Sequence, residues 1–430
     1  MTRLTWLVVA AAALATGCKE RNPLFCENPD HANDPACLSD GGGPCDDTSD
    51  CSGNTPLCKI PPGQCVQCLD NVDCGALTPI CGDDNACHSC TLDTECGSQV
   101  CLDDGSCASS DAVLFAAPTG SDVAGCGLTP GDPCRLDRAL LEATETRNLI
   151  KLKQGTYPIS GGEGLVVDGN NADVTLLAKD AAIDRNADDG PVITMKSGAG
   201  LTIIDGTVRD GSGVSGNGIT CSNNGKLVLQ RVEVTSNDGV GVGTNGCAVT
   251  VVNSAITQNN GGGISVANGT FVIVGNFVHL NGTSVGINGG INILASQSAT
   301  NRLDHNSINR NQAMAGIAGG IQCTVTGFVA RDNIVYNNIG AGSNVEVLGT
   351  CAHAFSDIGP TAVGAAQDGG NNKNVDPAFV DDVTGNLHVG NSSPVLGGGD
   401  PGIDLTGPAA TDLDGDARTS PPDIGADEVP

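Results

Sequence analysis

One short phrase recurs through residues 201–347 and decides what this chain can fold into. It reads Gly-Ile-Thr-Cys at 218–221, Gly-Val-Gly-Thr at 241–244, Gly-Ile-Ser-Val at 263–266, Gly-Ile-Asn-Ile at 290–293 and Gly-Ile-Gln-Cys at 320–323. The leading apolar residues Ile219, Val242, Ile264, Ile291 and Ile321 lie 23, 22, 27 and 30 positions apart. Each phrase is followed by an alternating apolar run, such as Leu227 to Leu229, Val249 to Val251 or Phe271 to Ile273. A third short strand then closes on asparagine, at Asn237, Asn259, Asn281, Asn311 and Asn337. Three brief strands per period of roughly 22–30 residues, with no helical stretch between them, predict a parallel β-solenoid. One coil cannot bury its own apolar face, whereas stacked coils bury a continuous one. The 61 glycines and the many asparagines suit a chain that turns tightly three times per coil, because both residues tolerate positive φ.

The repeat resembles that of right-handed parallel β-helix proteins of the pectin-lyase-like type. The expected fold class is therefore all-β, a right-handed parallel β-helix with a short N-terminal capping helix, preceded by a small disulfide-rich repeat region. Val113 to Asp122, then Pro130 to Cys134, then Leu136 to Leu141 resemble the opening of many bacterial β-helix proteins: a strand, a Gly-Ser-Asp turn and a short helix. Leu136, Leu140 and Ala143 fall on one helical face, which suits a cap over strand edges that would otherwise invite aggregation. Residues 150–157 resemble a first coil, with Tyr157 read as packing. From 356 the chain is acidic and rich in Gly and Pro. Its end, from Asp412 through Arg418 to Glu428, resembles the terminal D-x-D-G…R…D-I-G-A-x-E segment of many bacterial β-helix surface proteins, with Asp427 where a tyrosine is expected. That segment is expected to finish or cap the solenoid. Asp412, Asp414 and Asp416 alternate as in calcium loops, although no glutamate stands at the twelfth position. They are the only Ca²⁺ candidates, and no other cofactor is implied.

The N-terminus reads as an export signal: a basic Arg3, an apolar stretch from Leu7 to Ala15, too short to span a bilayer, and a small-residue end. Ala15-Thr-Gly-Cys18 resembles a bacterial lipobox, with Leu14 one place early, so Cys18 is the expected lipid attachment site. An ordinary signal peptide cleaved near Gly17 is the other reading. Lys19 after the cysteine favours the outer membrane or cell surface of a Gram-negative bacterium, and the lipid makes the membrane the first expected partner. The boundaries that follow are a signal peptide over 1–17, an acidic linker over 18–44, Cys-rich repeats over 45–110, the β-helix with its cap over 111–355 and acidic C-terminal coils or cap over 356–430.

Cysteine usage fits export. Of 21 cysteines, setting Cys18 aside leaves an even number to pair. Twelve form three repeats: Cys45, Cys51, Cys58, Cys65; Cys68, Cys74, Cys81, Cys87; Cys90, Cys96, Cys101, Cys107. Each repeat is polar and short, so disulfides rather than core burial must hold it. The pairs Cys65/Cys68 and Cys87/Cys90 have a spacing that would suit a four-cysteine zinc site, but they straddle repeat junctions, which the periodicity explains without metal. Connectivity within the repeats stays open. Elsewhere the expected pairs are Cys26–Cys37, Cys126–Cys134, and two that join neighbouring coils, Cys221–Cys247 and Cys323–Cys351.

Charge excludes some functions. Against 20 Lys+Arg stand 49 Asp+Glu, a net charge of −29, which disfavours nucleic acid and anionic surfaces. The coils themselves are balanced: Arg209, Lys226, Arg231, Arg302, Arg310 and Arg331 face Asp205, Asp210, Glu233, Asp238, Asp304 and Asp332. The resemblance implies an enzyme hypothesis, since many pectin-lyase-like proteins cleave acidic polysaccharides on the outward face of the first strand of each coil, using carboxylates with Ca²⁺ and a base, or paired carboxylates. Here the outward residues of that strand should be Thr220, Gly243, Ser265, Asn292 and Gln322, none of them ionisable. The remaining catalytic candidates are Asp304 and His305, near Arg302 and Arg310. They are read as solvated turn residues beside Asn306, which continues a series with Asn253, Asn276 and Asn333. Aromatic platforms for sugars are scarce; Tyr157 and Tyr336 are the only tyrosines, and Phe271, Phe277 and Phe328 are expected in the core. The leading expectation is a lipid-anchored surface protein with a binding, adhesion or envelope-structural role, whose partner is a carbohydrate or surface protein. The alternatives are a polysaccharide lyase or glycoside hydrolase, and a protein-interaction module carried by the Cys-rich repeats.

Overall fold

The computed structural model describes residues 45, 47–60, 63–169, 173–186, 188–295, 297–340 and 343–430. Cys18, Cys26 and Cys37 lie outside the described residues. Two compact units divide the chain at Ala108/Ser109.

In the first unit each Cys-rich repeat joins its first cysteine to its third and its second to its fourth. The pairs are Cys45–Cys58 and Cys51–Cys65, Cys68–Cys81 and Cys74–Cys87, Cys90–Cys101 and Cys96–Cys107. All four cysteines of the zinc-like spacing are therefore in disulfides. Each repeat opens with one 3-10 turn, Thr48–Asp50, Asn71–Asp73 or Asp93–Glu95. The acid ending the turn accepts the backbone N–H groups that precede it, as Asp73 does from Leu69 and Asp70, and Glu95 from Thr91 and Leu92. Those orphan donors would otherwise go unpaired at the start of the turn.

The second unit is the solenoid. Each coil contributes one strand to each of three parallel sheets, with eight strands in the first, ten in the second and nine in the third. Register is continuous: Ile193, Ile219, Val242, Ile264, Ile291, Ile321 and Val347 stack in the first-strand sheet. These residues and their counterparts, such as Leu201, Leu227, Val249 and Phe271 in the second sheet, form one apolar core running the length of the solenoid. The helix α1, Leu136–Glu142, packs Leu136, Ala139 and Leu140 into the first end of that core, and Tyr157 is buried there with its hydroxyl donating to a backbone carbonyl, that of Ala116 or Lys153. The disulfides Cys126–Cys134, Cys221–Cys247 and Cys323–Cys351 are present, the last two linking neighbouring coils.

Two asparagine ladders run parallel to the solenoid axis. In the one after the third strand, Asn237, Asn259, Asn281, Asn311 and Asn338 are fully buried. From Asn259 on, each side-chain oxygen accepts both the backbone N–H and the amide N–H of the asparagine one coil earlier, at 2.7–3.3 Å, and the first, Asn237, accepts the Gly211 N–H. Asn338 donates onward to the carboxylate of Glu346. The second ladder, between the second and third strands, runs Ser254, Asn276, Asn306, Asn333, Ser356. Asn306 thus continues that series, but Asn253 does not belong to it, nor Asn337 to the other. Both precede the ladder residue and sit in the left-handed region, at φ 48° and 58°. Asparagine is favoured at both adjacent positions, one for its side-chain hydrogen bonds and one for its tolerance of positive φ, which hides the true register in the sequence.

Phe271 and Phe328 are in the core, in edge-to-face contact at 5.3 Å. Phe277 is not. It pairs with Ala255 and Ser307 on the outward face of the third-strand sheet and packs against Leu387 and Ala426 from the C-terminal segment. Residues 360–375 lay a partial coil over the far end, with bridges His353–Asp368 and Asp357–Lys373. The remainder does not cap the solenoid. It turns back along its side, as a hairpin of Phe379–Asp381 with Asn386–Val389 and then a terminal strap, and reaches Asn253 through Thr411.

Replacing Asn281 by alanine strips the donors of Asn259 of their acceptor inside the fold. At roughly 1–3 kcal/mol per buried unsatisfied group, N281A should lower unfolding free energy by about 3 kcal/mol in a denaturant titration followed by circular dichroism. N245A, at an exposed amide paired only with Asn268, should change it by less than about 0.5 kcal/mol.

Candidate functional site

The outward face of the first-strand sheet carries one row in register through all its strands, Val166, Thr194, Thr220, Gly243, Ser265, Asn292, Gln322 and Leu348, and a shorter row beside it, Ser222, Asn245, Ala267 and Leu294. No member is ionisable. Three loops that precede these strands lie against the row. Asn217 donates to the Thr220 hydroxyl, Asn292 to the Asn288 side-chain oxygen, and the backbone of Ala318 to the Gln322 side-chain oxygen. The 27- and 30-residue periods are long because the last two loops are inserted there, and the second is longer still because its turn between Leu294 and Arg302 is extended. Their tips expose Val285, Ile287 and Met314, and the first exposes Val214. The face is thus a neutral polar strip beside a broken apolar rim.

Asp304 and His305 lie elsewhere, at the turn between the second and third strands, and the expectation that they are solvated is wrong. His305 is fully buried and Asp304 nearly so, because the C-terminal strap crosses this turn. Arg331 pairs with Asp400 at 2.7 Å, Asp332 accepts the Asp400 N–H and its carbonyl the Gly425 N–H, and Ser307 accepts the Ala426 N–H. Among the described residues neither ring nitrogen of His305 has a hydrogen-bond partner, and Asp332 stands 3.8 Å away. Burial, with the charges of Arg418 and Arg302 adding to it, holds the imidazole well below its usual range, so it stays neutral. Asp304 is pushed up by burial although Arg302 binds it at 2.8 Å. A recess of about 380 Å³ beside them is lined by Arg302, Arg331, Asp400 and Asp404. Arg331 there is paired with Asp400, and Arg302 with Asp304 and the Asp404 carbonyl. Asp304 also lines this recess, with its carboxylate bound to Arg302, whereas His305 does not reach it.

The strap is locked by its own motif. Asp412 accepts backbone N–H groups from Asp414, Asp416 and Glu428, and Glu428 accepts from Thr419 and Asp423. Arg418 donates to the Ala426 carbonyl and faces Glu428 at 3.6 Å. Of the three calcium candidates, Asp412 holds the turn through these three N–H groups, and Asp414 Oδ2 lies 2.9 Å from His388 Nε2.

Residues 191–354 match the family model described as right handed beta helix region. The fold is a right-handed parallel β-helix. The crystal structure of pectate lyase Pel9A is similar over 74% of this chain and 96% of that one, at 18% identity and a TM-score of 0.46. No curated protein matches the chain.

Sequence reasoning missed the strap's cover, although one signal for it exists. Outward positions of the third strand are Thr156, Ala182, Thr207, Glu233 and Ala255 where they are open, but Phe277, Ser307, Ile334 and Asp357 where they are covered, so that large apolar residues enter the row only under the strap.

Burial also loads the far end of the β-helix with carboxyls that resist ionisation: Glu346 is pushed up to about 8, Asp332 to about 7 and Asp357 to about 6. A carboxyl raised on folding binds its proton more tightly in the native state. Its contribution is present below the usual carboxylate range and is lost as pH rises through about 6–8. His353, pushed down by burial to about 4, acts oppositely and loses its contribution as pH falls through that value. The unfolding midpoint should therefore be highest near about pH 4 and fall toward about pH 8, and E346Q should flatten that fall. Thermal scans across this range check it.

Proposed function

We propose that this chain is a lipid-anchored surface protein of a Gram-negative bacterium, whose β-helix binds a neutral ligand, a carbohydrate or a surface protein, without catalysis. The neutral first-strand row carries the reading. A site that abstracts a proton from a uronate needs a base and cation ligands along its face, and a hydrolase needs two carboxylates within about 5–10 Å. The row from Val166 to Leu348 has neither, and the Asp304–His305 pair is covered. What the row does offer is hydroxyl and amide groups beside Val214, Val285, Ile287 and Met314, a combination suited to recognition of an uncharged polar surface.

Attachment rests on the sequence around Cys18. A multiply acylated cysteine tethers a protein stably where a single chain does not. Between the anchor and the β-helix in chain order come the three disulfide-held repeats, which keep their fold outside a reducing compartment.

Two experiments test the two halves of this proposal. Replacement of Cys18 by alanine should move the protein from the membrane fraction to the soluble fraction, and retention in the membrane would overturn the anchor. The purified chain should release neither unsaturated products nor reducing ends from uronate-containing or neutral polysaccharides, with or without Ca²⁺. Turnover abolished by Asp304→Ala would make it an enzyme. Binding to a glycan array that is lost on the double change Val285→Ser and Ile287→Ser would support the recognition face.

A further inference from the structure

The hairpin and the terminal strap bring together three side chains that the clasp chemistry does not explain. His388 comes from the hairpin strand Asn386–Val389, Asp414 from the tight turn after Asp412, and Asp427 from the last residues of the chain. One ligand atom from each lies within 4.8 Å of the others.

The histidine is oriented. The Asn386 side-chain oxygen accepts the backbone N–H of His388 at 3.3 Å, which fixes the amide so that oxygen faces the ring, 2.7 Å from Nδ1. Nδ1 must therefore be the protonated nitrogen. In the neutral ring Nε2 then carries a lone pair, and it faces Asp414 Oδ2 at 2.9 Å. Two acceptors at that separation repel unless a positive charge lies with them. A ring nitrogen fixed by an outer hydrogen bond, with its partner nitrogen turned to carboxylates, is how metal-binding histidines are commonly held. The ring is also braced edge-on against Phe277, with centroids 5.0 Å apart.

Asp427 adds the second observation. It is 93% buried, and Oδ2 accepts the Val389 N–H at 2.7 Å. A carboxylate held in the fold by one oxygen thus stands beside a second carboxylate and the Nε2 face of the imidazole, an arrangement that a cation would draw together. Asp427 is also the residue at which the terminal segment departs from the pattern it resembles.

We infer that His388, Asp414 and Asp427 bind a divalent transition-metal ion of the zinc class, with water in the remaining position. One imidazole nitrogen and two carboxylates suit zinc, whereas calcium takes six to eight oxygens and this site offers a nitrogen and too few of them. Half of the Asp414 side chain is exposed, leaving an entry path. The ion would tie the hairpin, the turn and the chain end to one another over Phe277, so it would serve the strap rather than a reaction.

Calorimetric titration of Zn²⁺ and, separately, Ca²⁺ into the metal-stripped full chain in detergent tests this. Expected is one zinc per chain and a rise of about 3 °C in the unfolding midpoint at saturation. His388→Gln and Asp414→Asn should each weaken zinc at least tenfold. Asp414 is exposed and its replacement leaves the buried clasp intact, so a folded variant is assured for that arm, with its circular dichroism matching the parent. Absence of zinc uptake means that a proton on Nε2 supplies the charge and overturns the proposal. So does zinc binding that both variants retain, which would place the ion elsewhere, for example at Asp84 and His88. Calcium binding as tight as zinc would overturn the assignment of ion class.

Discussion

Every corner of a β-helix turns backbone N–H groups inward, where no water reaches them, and the two asparagine ladders exist to meet that constraint. A strand is served by the strands above and below it. A corner is not, and an unmet buried donor costs as much as a hydrogen bond contributes. In each coil one asparagine oxygen accepts from the corner beneath, while its amide nitrogen reaches a carbonyl such as that of Val234, Ile256 or Val278. The amide therefore acts as an extra peptide unit set crosswise to the chain, and apolar stacking can proceed only because these corners are satisfied.

The strap follows from a second constraint. A solenoid exposes the outward faces of all three sheets, and a protein with loops as polar as these has little else to cover them. Between Phe277 and Ile334 the chain places apolar groups outward and then returns 50 to 150 residues later to bury them, with Val389, Val395 and Ile424 as the covering side. The acidic character of the C-terminal region, which in the sequence looks like solvation, is in part internal: Asp412, Asp423 and Glu428 are buried and accept backbone N–H groups. Acidity there reports turn chemistry as well as surface charge.

The fold was legible because period and register repeat. Ile219, Val242, Ile264, Ile291 and Ile321 each announce a coil, and any one could be mistaken without changing the reading. The long periods at Ile291 and Ile321 were visible as spacing, though not as loops lying beside the first-strand row. The covered turn was illegible for a different reason. Asp304 and His305 are local to one coil, while their burial is decided by Asp400 and Gly425, about a hundred residues away, and no periodicity links the two. Connectivity in the Cys-rich repeats was closed to sequence as well, because spacing alone allows several pairings.

The asparagine ladder after the third strand has a direction. Each rung donates toward the far end and accepts from the near end, so rungs are interchangeable and only the last differs, where Glu346 takes two donors with a carboxylate. As far as the ladder is concerned, an interior rung could be copied or deleted without leaving its neighbours mismatched, since every interior rung presents the same face on each side. It is the Cys221–Cys247 disulfide and the strap contacts at Phe277 and Ser307 that give single coils their own partners. The coil that carries Glu346 could not be copied inward, because its carboxylate has no N–H to pass on. The ladder thus contains interior rungs open to duplication and a terminal one that is not, and its length can change by whole rungs while its end stays the same.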